Sequence, residues 1–113
     1  CYVDSDFAGL WKAENDQNPL CVKSRTGFVF MLGTCPILWV SKLQTEIALS
    51  TTEAEYIALS QAMRQLLPAR RLLQELVQAF DPLSNEKPIQ ISSTVFEDNN
   101  GALTMATSPK LTP

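Results

Sequence analysis

Residues 50–69 read STTEAEYIALSQAMRQLLPA, and the spacing of their apolar side chains decides how the rest of the chain must be arranged. At 100° per residue, Glu55 falls in line with Ala58, Leu59, Ala62, Leu66 and Ala69, while Glu53 points the opposite way with Ser60 and Arg64. The pattern predicts a helix whose apolar stripe faces a sheet, with a carboxylate set into that stripe. Ser50-Thr51-Thr52-Glu53 fits a capping box: Ser50 caps the helix and Glu53 reaches back to the N-cap amide. Glu53 therefore has a structural task, and Glu55 has none. An ionised carboxylate on an apolar stripe needs a cation or several hydrogen-bond donors. A metal ion meets that need, and so does water or the helix N-terminal amides if Glu55 lies close enough to the helix start. The helix is expected to reach Leu67, where Pro68 should kink or break it before a second helix through Ala79.

On the N-terminal side, residues 2–8 read as a strand and residues 12–19 as a polar loop. A hairpin follows, with strands at 27–32 and 37–41 around turn residues 33–36. A further short strand is expected at 46–49. Beyond the helices, residues 81–88 form a polar connector with two prolines, and residues 89–96 read as a strand with its apolar side chains toward the core. Asp98, Asn99 and Asn100 then open a short helix over 101–106. Acidic residues thus stand in three settings: Asp4 on a strand, Glu55 on a helix, and Asp98 where a strand ends. Asp98 either joins the other two or caps the short helix. Asp6 shares a strand face with Asp4 by the two-residue period, and is expected to be solvated at the strand end.

Composition narrows the chemistry. The 113 residues suffice for one domain with a single core. No apolar run is long enough to span a bilayer, and nothing at the start resembles a signal peptide, so a cytoplasmic or particle-enclosed setting is expected. Cys1, Cys21 and Cys35 are odd in number and lack a CxxC spacing, which suggests neither a disulfide framework nor a zinc knuckle. The sequence has no histidine. That removes Ser-His-Asp and Cys-His nucleophilic mechanisms and the commonest zinc sites, leaving carboxylates, whose oxygens favour Mg²⁺ or Mn²⁺. A net charge of −3 argues against a free-standing, tight nucleic-acid binder. Lys23, Arg25 and Lys42 either form a small basic patch on the hairpin or a solvated strand edge.

Five segments carry a family resemblance. They are residues 2–9 (YVDSDFAG), 23–28 (KSRTGF), 41–44 (SKLQ), 48–59 (ALSTTEAEYIAL) and 97–102 (EDNNGA). In order and spacing they resemble the ribonuclease H domain of Ty1/copia-type retrotransposon polyproteins. The resemblance implies an α/β, ribonuclease H-like fold in which a mixed sheet of five strands is flanked by helices. It implies cleavage of the RNA strand of RNA/DNA hybrids during reverse transcription, beside the reverse transcriptase domain of the same polyprotein and within a cytoplasmic virus-like particle.

By the same resemblance, Asp4, Glu55 and Asp98 are the catalytic, metal-binding carboxylates. Such sites hold two Mg²⁺ ions about 4 Å apart, replaceable by Mn²⁺, one activating water and the other stabilising the leaving 3′ oxygen. The family's helix glutamate, here Glu55, is also placed to sense the 2′-hydroxyl that separates RNA from DNA. Family members carry a fourth acidic residue on a helix after a fifth strand, and the sequence stops at Pro113 before either. The expectation is therefore one domain over 1–113, incomplete at its C-terminus and lacking the last strand and helix, that cuts slowly or not at all. The alternative is a catalytically inactive remnant serving as a structural or connecting module. Transposases and integrases resemble an order of Asp, Asp and then a helical Glu; here the Glu comes second.

Overall fold

Alternation of buried and exposed residues along one strand sets the whole sheet. In the computed structural model, which describes residues 1–12, 19–80 and 91–108, β2 (Arg25–Leu32) buries Thr26, Phe28 and Phe30 and turns the residues between them outward. It pairs antiparallel with β1 (Tyr2–Asp6) on one side and β3 (Cys35–Leu43) on the other. The β2–β3 connection is a two-residue turn, with Gly33 at φ 62 in its first central position. That backbone conformation favours glycine, and it matches the twist of the flanking strands. β3 is exposed along nearly its whole length, and Pro36 lies within it, as an edge strand allows. A register shift between Phe30 and Met31 marks a bulge opposite it.

A parallel segment lies on the other side of β1. Tyr2 bridges Phe96, the Val3 amide donates to the Phe96 carbonyl at 3.1 Å, and the Phe96 amide donates to the Cys1 carbonyl at 2.8 Å. The N-terminal ammonium donates to the Thr94 carbonyl at 2.9 Å. β1 therefore has an antiparallel and a parallel neighbour. The strand expected over 89–96 is reduced to this bridge among the described residues, since β1 offers backbone alongside residues 94–96 only; positions 89 and 90 lie outside them. The chain is thus mixed α/β, with a three-stranded antiparallel sheet and two helices.

The first helix departs from expectation. α1 runs unbroken from Thr51 to Phe80 with Pro68 inside it, rather than ending at Leu67. Pro68 and Arg64 are both exposed, so the carbonyl that loses its amide partner can face water and the helix passes through the proline. Its buried side is the stripe read from the sequence, widened by Ala54: Glu55, Ala58, Leu59 and Ala62 are buried together with Ala54, and Leu66 and Ala69 pack partly buried against the core. The three alanines, all fully buried, let the helix approach the sheet closely over Val3, Phe28 and Phe30.

The short strand expected at 46–49 does not form. Gln44 turns the chain inward after β3: its amide donates to the Ser24 carbonyl at 2.8 Å, and its Nε2 donates to Thr26 Oγ1 at 3.1 Å and the Ala54 carbonyl at 2.9 Å. The capping box is shifted by one residue. Ser50 Oγ accepts the Glu53 amide at 3.1 Å, but Glu53 Oε2 accepts the amide of Leu49 at 2.8 Å rather than that of Ser50. β1 also ends earlier than expected, at Asp6, and Ala8 adopts φ 49 in the turn that follows. The second helix, α2 (Asn100–Thr107), is longer than expected by one residue at each end. Most of the loop at 12–19 and all of the connector at 81–88 lie outside the described residues.

Candidate metal centre

Three elements end on one point. Asp4 is carried by β1, where its Oδ1 accepts the Ser5 amide at 2.9 Å. Glu55 is delivered by the second turn of α1, whose neighbouring alanines press it toward the sheet. Asp98 follows the segment paired with β1 and precedes α2, and the cap of that helix explains its freedom. Asn99, not Asp98, is the N-cap: its Oδ1 accepts the Ala102 amide at 2.9 Å. The capping role weighed for Asp98 is therefore taken by its neighbour. Gly101 brings α2 against the start of α1, since a Cβ there would lie 2.8 Å from Thr52 Cγ2.

One carboxylate oxygen from each of Asp4, Glu55 and Asp98 lies within 4.8 Å of the other two. Asp4 and Asp98 are exposed, whereas Glu55 is only 4% exposed. Its Oε2 is buried and has no hydrogen-bond partner, so Glu55 does not resolve its position by reaching water. Burial pushes the Glu55 carboxyl above its ordinary value; the nearby Ser5 hydroxyl and Glu97 carboxyl oppose that rise, and the charges of Asp4 and Asp98 add to it. The Ser5 hydroxyl, itself buried, completes no hydrogen bond. A buried carboxylate oxygen without a partner, beside two more carboxylates, is stabilised by positive charge, and an all-oxygen donor set suits Mg²⁺ or Mn²⁺. The residues fit such an ion.

Sequence reasoning passed over one acid beside this group. Glu97 is 8% exposed, its Oε1 accepts the Asn99 amide at 3.1 Å, and its Oε2 is buried without a partner. Its pKa is pushed up to about 7, first by burial, with the Asn99 amide opposing and the neighbouring Glu55 and Asp98 charges adding. The available signal was the two-residue period: Val95 packs against the core, which puts Glu97 on the same side. Asp6, by contrast, stays outside the group; it is exposed, and its carboxylate occupies the space where a Cβ on Gly9 would fall. Lys23, Arg25 and Lys42 do not form one patch. Arg25 pairs with Leu43 and Lys42 with Thr26, so the two cations project from opposite faces of the hairpin.

A hollow of about 240 Å³ lined by Tyr2, Val3, Asp4, Phe96, Glu97 and Asp98 opens beside the acids. A roomier groove, about 510 Å³, runs between the second half of α1 and the turn end of the sheet. It is lined mainly by apolar side chains and carries no carboxylate.

Fold and site together define a small α/β domain with a carboxylate-only candidate cation centre. In sequence the chain is similar to part of a retrotransposon polyprotein: 75 residues are 44% identical to "Retrovirus-related Pol polyprotein from transposon TNT 1-94" of Nicotiana tabacum, covering 66% of this chain and 5% of that protein. It is also similar to "Secreted RxLR effector protein 161" of Plasmopara viticola, at 38% identity over 64 residues, which is 57% of this chain and 39% of that protein. No protein-family model matches the chain, and no solved structure matches it.

Proposed function

We propose that this chain is the ribonuclease H-like part of a retrotransposon Pol polyprotein, and that it hydrolyses the RNA strand of RNA/DNA hybrids with the help of Mg²⁺ or Mn²⁺. The observation that carries this reading is the convergence of Asp4, Glu55 and Asp98 from three separate elements within 4.8 Å, around a buried carboxylate oxygen that nothing else satisfies. Similarity to a retrovirus-related Pol polyprotein supports it. In that setting the hybrid is the product of the reverse transcriptase domain of the same polyprotein, and the site of action is a virus-like particle in the cytoplasm.

Asp4, Glu55 and Asp98 would hold the cations, and the cations when bound supply an activated water and charge stabilisation at the leaving 3′ oxygen. The protein's own contribution is positional. The Ser5 amide fixes Asp4, the alanine stripe fixes Glu55, and the Asn99 cap fixes the chain direction at Asp98. By the family resemblance, Glu55 would also sense the ribose 2′-hydroxyl and so select RNA over DNA. Similarity to a protein named as a secreted effector favours a second reading, in which the fold serves as a non-catalytic module. A labelled RNA/DNA hybrid incubated with the chain in Mn²⁺ separates the two. Endonucleolytic cleavage of the RNA strand, lost on Asp4→Asn, supports the enzyme; an uncut hybrid with a folded chain favours the module.

A further inference from the structure

Beside Glu55, Glu97 is the second buried acidic side chain at the centre. It is more than nine-tenths buried. One of its oxygens is held by the Asn99 amide, so the carboxyl group cannot swing out to solvent without giving up that bond. The other, Oε2, is buried and unpartnered, as is Oε2 of the adjacent Glu55. Two neighbouring buried carboxyl groups cannot both stay ionised without cost; a proton shared between them relieves it when no cation is present, and a divalent cation would relieve it for both charges at once. Glu97 also lines the hollow that Asp4 and Asp98 share. Asp6 is nearer to Asp4 in sequence but lies over Gly9, away from that hollow.

We propose that Glu97 is a fourth carboxylate ligand of the cation centre, its Oε1 anchored on the Asn99 amide and its Oε2 turned with Glu55 Oε2 toward a divalent cation. This rests on the cation centre of the proposed function. It assigns to the described part of the chain a fourth negative charge, and four carboxylates balance two divalent cations where three leave an excess of positive charge.

The test is Mn²⁺ binding to the whole chain, read by titration calorimetry and by the cation-induced rise in Tm, for the wild type and for Glu97→Gln, Asp4→Asn and Asp6→Asn. Glu97→Gln is expected to weaken Mn²⁺ about tenfold or more, Asp4→Asn to do at least as much, and Asp6→Asn to leave affinity unchanged. In Glu97→Cys the new thiolate is a soft ligand, so Cd²⁺ affinity should rise above that of the wild type while Mn²⁺ affinity falls; a residue that merely packs would not produce that exchange. Wild-type Mn²⁺ affinity in folded Glu97→Gln overturns the assignment. Should that variant not fold, an unchanged Cd²⁺ affinity in Glu97→Cys overturns it instead. Loss of binding in Asp4→Asn with retention in Glu97→Gln removes Glu97 alone, whereas a wild type that binds no Mn²⁺ removes the cation centre and both proposals with it.

Discussion

Near the start of α1 the carboxylate of Glu55 is 4% exposed, while at the other end of the same helix the phenyl ring of Phe80 is 84% exposed. Polarity alone would reverse the two. The reason is length. A helix of 30 residues extends about 45 Å, and a strand of eight residues about 26 Å, so the sheet can lie beneath only part of the helix. Where α1 crosses Val3 and Phe28, its inward stripe is buried whatever it carries, and a carboxylate there becomes a costly group in search of a cation. Farther along, the same periodicity runs through Leu73, Leu76, Val77 and Phe80; Leu73 and Val77 are only half-buried, and Leu76 and Phe80 are exposed. Placement over the sheet, and not the chemistry of the side chain, sets burial along this helix.

The contrast is broken most strongly from the sheet side. Phe28→Ala, beneath the buried half of α1, is expected to destabilise by about 3–5 kcal/mol, measured by urea unfolding; a loss below about 1 kcal/mol would mean that the first half of the helix is no better supported than the second. Next in size is the cation. Saturating Mn²⁺ at about 100 times its Kd should stabilise the wild type by roughly 2.7 kcal/mol, and Glu55→Gln should abolish that gain while leaving the cation-free protein as stable or more so, because like charges no longer crowd. A rise in Tm retained by Glu55→Gln would separate the buried carboxylate from metal binding.

Asn99→Ala removes the α2 cap and should cost about 1 kcal/mol, with a parallel weakening of Mn²⁺ binding as the chain at Asp98 loses its support; the backbone amide that holds Glu97 is kept. Stability with wild-type cation affinity would show that the cap holds the helix but not the site.

The pH profile sharpens the same point. Burial and neighbouring charge lift the folded-state pKa of Glu97 from 4.5 to about 7, so between those values the folded chain keeps a proton that the unfolded chain has released. Stability from this group is full below about 4.5 and is lost as pH rises through about 7. Melting in EDTA should therefore give a lower Tm at pH 8 than at pH 5, and Glu97→Gln should flatten that fall. A wild-type profile without the fall would mean that Glu97 is solvated. The smallest effect belongs to the far end of α1: Phe80→Ser should change stability by no more than about 0.5 kcal/mol. A larger loss would show that the exposed half is covered in solution.

Much of this was legible in the residues. The helical stripe of Ala58, Leu59 and Ala62, the strand period through Phe28 and Phe30, and the hairpin at Gly33 are local patterns, and each appears where its spacing requires. Asp4, Glu55 and Asp98, singled out by their settings and by the family resemblance, do converge. The failures share a cause. Pro68 did not end α1, because the broken hydrogen bond faces solvent; residues 46–49 did not form a strand, because Gln44 and Glu53 claimed the surrounding backbone. Of the two roles weighed for Asp98, capping α2 fell to Asn99, and Glu97 went unnoticed because a carboxylate at a strand end reads as solvated until a helix is laid against it.

The sequence by itself determined which faces of the elements are apolar, where the sheet turns, and that these residues hold no histidine, which made the carboxylates the candidates for a site. These follow from side-chain type and from the fixed periods of helix and strand. Only the tertiary structure decided which carboxylates meet, which of them lose water, and where the helix outruns its support. Those outcomes depend on distances between elements remote in sequence, with Cys1 and Asp4 set against residues 94–98 and α1 laid across both, and no local period encodes them.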